Sequence, residues 1–204
     1  MIEIYTARLS EIRNKEKYLL ETAGRQRKEK ALRFLQADDR LRCLAAGYLL
    51  KQHLPGYSEE MLRTGKEGKP FLPGGPAFSI SHGGDFVVLA VDGSSEGIGV
   101  DVEPIREMEY YKTILPYAMT DTEKRTVGED AKCAVRIWTR KESLYKCVGE
   151  GVSDFLELPE VLEDQVFFFG KLCRLHSWER EGHMFSVASR GSLETVDQEE
   201  GFVL

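Results

Sequence analysis

No apolar run in this 204-residue chain approaches the ~18–20 residues of a membrane-spanning helix, which excludes an integral helical membrane protein. The opening MIEIYTARLSEIR carries acids early and lacks an apolar core with a cleavage site, so a signal peptide is not expected. Cysteine is scarce: Cys43, Cys133, Cys147 and Cys173 form no C-x-x-C pair. Reduced thiols in a cytoplasmic protein are expected, rather than a disulfide framework or a structural zinc. Histidine is scarcer in effect, because His53, His176 and His183 share no ligand spacing. Positive charge is also lacking: the net charge of -6 argues against nucleic acid as a partner. Finally, G-x-x-x-x-G-K-[ST], G-x-G-x-x-G and G-x-S-x-G are absent, which removes the P-loop, dinucleotide-fold and serine-hydrolase readings.

What is present is unevenly arranged. Between Arg25 and Arg42, seven basic residues stand against three acids, a window of +4 on a remainder of -10. Clustered charge focuses a field where total charge does not, which suits a small polyanionic ligand; a solvated helix face is the other reading. Leu41, Leu44, Ala45, Tyr48 and Leu49 recur at helical spacing and predict an amphipathic helix from about 37 to 54, stopped by Pro55-Gly56. Strand-like runs follow at Phe78–Ser81, Phe86–Val91 and Ile98–Glu103, separated by turn chemistry, and predict an antiparallel meander ending at Pro104. A second helix over about 130–148 precedes strands near Gln165–His176 and His183–Ser189. Helix then meander thus occurs twice, about 105 residues apart, which suggests two related halves.

Three constellations carry chemistry. In Gly99-Val100-Asp101-Val102-Glu103, strand alternation puts both carboxylates on one face, where they repel unless a cation lies between them. Hard divalent ions take such carboxylates together with phosphate oxygens; a wet acidic face is the plain alternative. The apolar stripe Ala131, Ala134, Val135, Trp138 continues at the same spacing into Glu142 and Tyr145. A carboxylate there needs a partner or a task, and Lys146 stands one turn on. Ser81-His82-Gly83-Gly84 sets a hydroxyl and an imidazole at a strand end beside permissive glycines, a turn able to hold a phosphate; a hydrogen-bonded surface residue is the other reading of His82.

In this order the pieces resemble the 4′-phosphopantetheinyl transferases, in particular the larger, pseudodimeric surfactin-synthetase-activating type. The resemblance is carried by Arg27 and Lys30 before Arg33-Phe34, by Arg42, and by Gly68-Lys69-Pro70. It continues through Phe78-Ser79-Ile80-Ser81-His82, Gly99-Val100-Asp101-Val102-Glu103, Trp138-x-x-Lys141-Glu142-Ser143-x-x-Lys146 and Gly149-Glu150-Gly151. It implies an α+β fold of two pseudo-symmetric halves, each a long helix on a small antiparallel sheet, divided as 1–105 and 106–204. The implied reaction moves 4′-phosphopantetheine from coenzyme A to a serine of an apo acyl or peptidyl carrier protein and releases 3′,5′-ADP. By resemblance, Asp101, Glu103 and Glu142 hold Mg²⁺, with Mn²⁺ also suited. Glu142 takes the serine proton and Lys146 steadies the departing phosphate. Arg27, Lys30, Arg42, Lys69, Ser81, His82 and Lys141 bind the coenzyme. A cytoplasmic monomer with no membrane or nucleic-acid partner is expected. Cys43 departs from the pattern, standing where the family commonly has a hydroxyl residue. Two rivals are a different metal-dependent phosphoesterase, which normally adds metal-binding histidines, and a catalytically silent carrier-protein adaptor.

Overall fold

The computed structural model describes residues 2–65, 68–93, 97–149 and 151–191, and the backbone of 196–200. Strand β1 (Ile2–Arg8) leads into three short helices, α1 (Leu9–Ile12), α2 (Glu16–Thr22) and α3 (Arg25–Ala31), and then the long α4 (Ala37–His53). The expected stripe is buried: Leu41, Leu44, Ala45 and Leu49, joined by Cys43, Ala46 and Leu50. Asp38 and Asp39 lie in its first turn, where the helix dipole favours carboxylates. A small hairpin of β2 (Arg63–Thr64) and β3 (Pro70–Phe71) leads to β4 (Ala77–Gly83), β5 (Phe86–Asp92) and β6 (Ile98–Pro104).

The second half opens with α5 (Met108–Lys112), α6 (Leu115–Ala118) and α7 (Asp121–Val127), followed by the long α8 (Ala131–Val148). Asp130 caps α8 by accepting from the amides of Lys132 and Cys133. Strands β7 (Gln165–Phe168), β8 (Lys171–Arg180), β9 (His183–Ser189) and β10 (Val196–Glu200) complete the order. The single strand expected over 165–176 is two strands. Phe169 and Gly170 both take positive φ and turn the chain between them, as Glu181 and Gly182 do between β8 and β9.

Two four-stranded sheets result, ordered β10-β1-β5-β4 and β6-β9-β8-β7. The predicted meander is therefore corrected at its third strand. β5 pairs with β1 and β4, whereas β6 pairs antiparallel with β9, Val100 opposite Val187 and Asp101 opposite Ser186. The first sheet is also mixed rather than purely antiparallel, because β10 runs parallel to β1. Both sheets thus contain strands from distant parts of the chain.

Period-two alternation divides the side chains cleanly. Ile2, Ile4, Phe86, Val88 and Ala90 of one sheet meet Val100, Val102, Phe185 and Val187 of the other in a shared core. Tyr5, Ala7, Val87, Leu89 and Val91 face α4. Met184, Ala188, Cys173 and Leu175 face α8. The order of layers is helix, sheet, sheet, helix, and each fully buried side chain of this kind contributes roughly 1.5–3 kcal/mol. Along one seam the sheet edges β4 and β6 lie side by side. Ser79 Oγ accepts from the Val100 amide at 3.1 Å, and Ser81 Oγ donates to Asp101 Oδ1 at 2.7 Å. All four cysteines are free thiols, and no helix among the described residues is long and apolar enough to cross a membrane.

Candidate active site

Alternation on β6 sends Val100 and Val102 into the shared core and leaves Asp101 and Glu103 facing α8. Helix α8 comes down onto this face at Gly99, where a Cβ would stand 1.9 Å from the Ser143 carbonyl oxygen. Only glycine permits that approach. The result sets the last two turns of α8 against β6. Lys146 Nζ lies 2.7 Å from Asp101 Oδ1, 3.0 Å from Ser81 Oγ and 3.9 Å from Glu142 Oε2. Four sequence-expected residues from three elements therefore share one focus.

The electrostatics are those of an incompletely compensated acidic cluster. Asp101 is buried, and its Oδ2 has no hydrogen-bond partner among the described residues. Glu103 is pushed up to about 7, by burial first and then by repulsion from Asp101 and Glu142, which Arg106 and Lys146 only partly relieve. Burial likewise raises Glu142 above the ordinary carboxylate range, with Lys146 opposing and Asp101 reinforcing. Among the described residues, no three His, Cys, Asp or Glu side chains gather as they do around a bound metal ion. The expected acids lie at one junction of β6 and α8, but the ammonium of Lys146 sits against Asp101 there and no closed cage is formed.

Beside this cluster, on the α4 side of β4, lies a cavity of about 370 Å³. Arg27, Lys30, Asp39, Arg42, Ser81, His82 and Lys146 supply its polar wall, and Phe34, Ile80 and Cys43 are among its apolar lining. Arg42 is fixed by Asp39 at 2.8 Å and by donating to the Gly84 carbonyl at 2.7 Å, while its Nε is buried without a partner among the described residues. His82 is lowered by burial and by the charges of Arg42 and Lys146, which favours the neutral ring. A smaller adjoining cavity of about 230 Å³ touches Lys69, Glu142, Tyr145 and Lys146. The basic window read in the sequence is thus only partly surface: Arg27, Lys30 and Arg42 wall a cleft.

Of the expected ligand-binding lysines, Lys69 lines the smaller cavity while also holding backbone, whereas Lys141 is placed otherwise. Lys69 donates to the carbonyls of Ile98 and Lys146, both at 2.7 Å, and so ties the start of β6 to the end of α8. Burial pushes its pKa down to about 8. Lys141 is a correction. It is wholly buried, 3.0 Å from an equally buried Glu123, and cannot touch a ligand in the cleft. Glu123 is also the residue that sequence reasoning missed. One oxygen accepts from the Thr120 amide in a capping box, the other from the Val161 amide. The signal was legible as Thr120-x-x-Glu123 together with Ala134, Ile137 and Leu144 flanking Lys141 on the deepest face of α8. Glu150 of the expected Gly149-Glu150-Gly151 lies outside the described residues.

With this geometry in view, comparison with known proteins points to one superfamily. A sequence model of the 4′-phosphopantetheinyl transferase superfamily matches residues 97–179, a span holding both the Asp101–Glu103 strand and the Glu142–Lys146 helix. Over that span the chain is similar to that superfamily. It is 30% identical over 138 residues to the 4′-phosphopantetheinyl transferase Sfp of Bacillus subtilis (strain 168), covering 63% of this chain and 61% of that one. A 4′-phosphopantetheinyl transferase of Bacillus subtilis is 28% identical over 145 residues, 66% of this chain and 64% of the relative. The transferase gsp of Aneurinibacillus migulanus is 26% identical over 145 residues, 66% and 60% respectively. Each alignment spans under two thirds of the relative's own length. The matched span includes the acidic β6–α8 junction, and the basic cleft lies beside it.

Proposed function

We propose that this protein transfers 4′-phosphopantetheine from coenzyme A to a serine hydroxyl of an apo carrier protein, leaving 3′,5′-ADP. The observation that carries the reading is the adjacency of two opposite fields: a basic cavity walled by Arg27, Lys30, Arg42 and Lys146, and the carboxylates Asp101, Glu103 and Glu142 next to it. The sheets cross the expected division at 105, since β6 pairs with β9 and β10 with β1; α3, α4 and β4 wall the cavity together with Lys146, and α8 supplies the proton acceptor.

Phosphoryl transfer requires positioning and charge neutralisation more than covalent help from the protein. The cationic wall offsets the coenzyme's phosphates, and Ser81 and His82 at the end of β4 offer a hydroxyl and a ring nitrogen to the nucleotide. The carrier serine oxygen attacks the phosphorus bearing the pantetheine arm. The bridging P–O bond breaks and its electron pair leaves on 3′,5′-ADP. The serine proton passes to Glu142, directly or through a water, and burial brings this carboxylate closer to neutrality, where a general base works best. Lys146, within hydrogen-bond reach of Asp101, stands where charge develops on the leaving phosphate.

The acids fit a hard divalent cation. Asp101 Oδ2 is buried with no partner among the described residues, and burial together with the neighbouring carboxylates pushes Glu103 up to about 7. Asp101, Glu103 and Glu142 would hold Mg²⁺ or Mn²⁺, which neutralises a diphosphate and polarises its phosphorus when bound.

The test is mass spectrometry of an apo carrier protein incubated with this protein, coenzyme A and Mg²⁺. The expected outcome is a serine-linked gain of one phosphopantetheine group, lost in Glu142→Gln while the fold is retained. Release of free phosphate without that gain would instead indicate a phosphoesterase. A near-normal Glu142→Gln enzyme would remove Glu142 as base.

A further inference from the structure

Arg27 lies in the partition between two cavities. One is the basic cleft; the other, about 320 Å³, lies outside it and is lined in part by Tyr18, Tyr48, Tyr57 and Glu59. The Arg27 stem crosses α4 at Gly47, where a Cβ would come within 2.8 Å of Nε and 2.9 Å of Cγ. Glycine at that one position lets the arginine reach the partition. Glu59, in the loop after α4, then grips one edge of the guanidinium. Its Oε1 lies 3.0 Å from Nη2, and its Oε2 accepts from Nε at 3.3 Å. The Tyr57 hydroxyl donates to the same Oε2. Both charged groups are largely withdrawn from solvent, with side chains 9% and 15% exposed.

Glu59 lines only the outer cavity, yet it cancels a charge that lines the inner one. The Nε–Nη2 edge is one that guanidinium groups offer to phosphate in a bidentate clamp, and here a carboxylate occupies it. A phosphate in the cleft therefore meets an arginine whose charge is already offset and whose clamp is partly taken.

We propose that Glu59 is a positioning residue that limits how tightly the cleft holds a phosphorylated nucleotide, by pairing Arg27 from the side away from the ligand. This rests on the coenzyme reading of the cleft. It adds that weak nucleotide binding is built in, so that 3′,5′-ADP, which shares most of its phosphate contacts with the substrate, can leave. Tyr57 stays protonated, since burial and Glu59 push it up to about 12, and it keeps the carboxylate in place.

Calorimetric titration of the full-length protein with 3′,5′-ADP tests this, using Glu59→Gln, Arg27→Ala and the double variant. Glutamine keeps the size of the side chain and an acceptor for both partners, so the loop is retained; thermal melts check it. Glu59→Gln should bind about threefold to fivefold tighter, the range of a partly screened charge pair. The gain should vanish in the Arg27→Ala background. In steady state, half-saturation for coenzyme A and saturated turnover should fall together as release slows. A lesion that is merely structural does not tighten binding. Equal or weaker binding by Glu59→Gln, or a gain that persists without Arg27, overturns the proposal. Absence of 3′,5′-ADP binding by the unmodified protein would overturn it together with the coenzyme reading. Binding without carrier loading would remove the transfer reading alone, and the four affinities would still decide the role of Glu59.

Discussion

Two of the three lysines on helix α8, Lys141 and Lys146, stand five residues apart, each paired with a carboxylate from another element, and the two pairs differ in every respect that matters. Lys141 and Glu123 are sealed from water, and both oxygens of Glu123 are engaged by backbone amides as well as by the ammonium. Lys146 and Asp101 sit at the edge of a cleft, with Lys146 still part-exposed and one Asp101 oxygen buried and idle. A fully satisfied ion pair is a structural tie; a pair with spare capacity, set among further carboxylates, is a place where a ligand gains by arriving. The same two residue types can thus stand on one helix as fastener and as chemistry.

The comparison breaks most readily at Lys141. Lys141→Ala leaves a buried carboxylate without its cation and should cost about 3–5 kcal/mol of stability, measured by urea unfolding. The folded fraction should keep its turnover. Full stability with collapsed turnover would transfer the chemical role to Lys141.

Lys146→Ala should show the opposite pattern: turnover in the carrier-loading assay down by about 10²–10³, with the unfolding midpoint little changed. A loss confined to stability would make Lys146 a second fastener.

Glu103 sharpens the contrast through pH. Its folded pKa of about 7 lies above the ordinary glutamate value of 4.5, so the fold favours the protonated acid. That contribution is complete below about pH 4.5 and is lost as pH rises through 7, amounting at most to roughly 3 kcal/mol. Melting between pH 5 and 8 should therefore weaken with pH, and Glu103→Gln should flatten the profile. Mg²⁺ should raise the melting temperature more at pH 8 than at pH 5. An unchanged slope in Glu103→Gln would show that the acids do not strain one another.

The smallest effect belongs to Arg42, whose charge is already shared with Asp39 and the Gly84 carbonyl. Arg42→Ala should raise half-saturation for coenzyme A by about tenfold, the loss of one charged hydrogen bond, more than it slows saturated turnover. Unchanged half-saturation would return the basic window to plain surface.

Local pattern carried much of this architecture. The spacing from Leu41 to Leu49 placed α4, and alternation in Gly99–Glu103 put Asp101 and Glu103 on one face, as observed. The partner of β6 was beyond local pattern, because a strand's own residues do not say which distant strand completes its ladder; Val187 is 87 positions from Val100. On α8 the stripe through Trp138 and Glu142 was rotated from the deepest face, which holds Ala134, Ile137 and Leu144 with Lys141 among them. A lysine in that face reads as an interruption unless its buried acid is known, and Glu123 lies on another helix.

The flanks of β4 and β6 have a consequence for solubility. Each is the rim of its sheet, and a bare rim is a template on which a stranger's strand can grow. Here the two rims are turned toward one another, with the Val100 amide and the Asp101 carboxylate occupied by serine hydroxyls from across the gap. Replacing Ser79 would therefore leave the Val100 amide unpaired at the rim and raise the protein's tendency to aggregate.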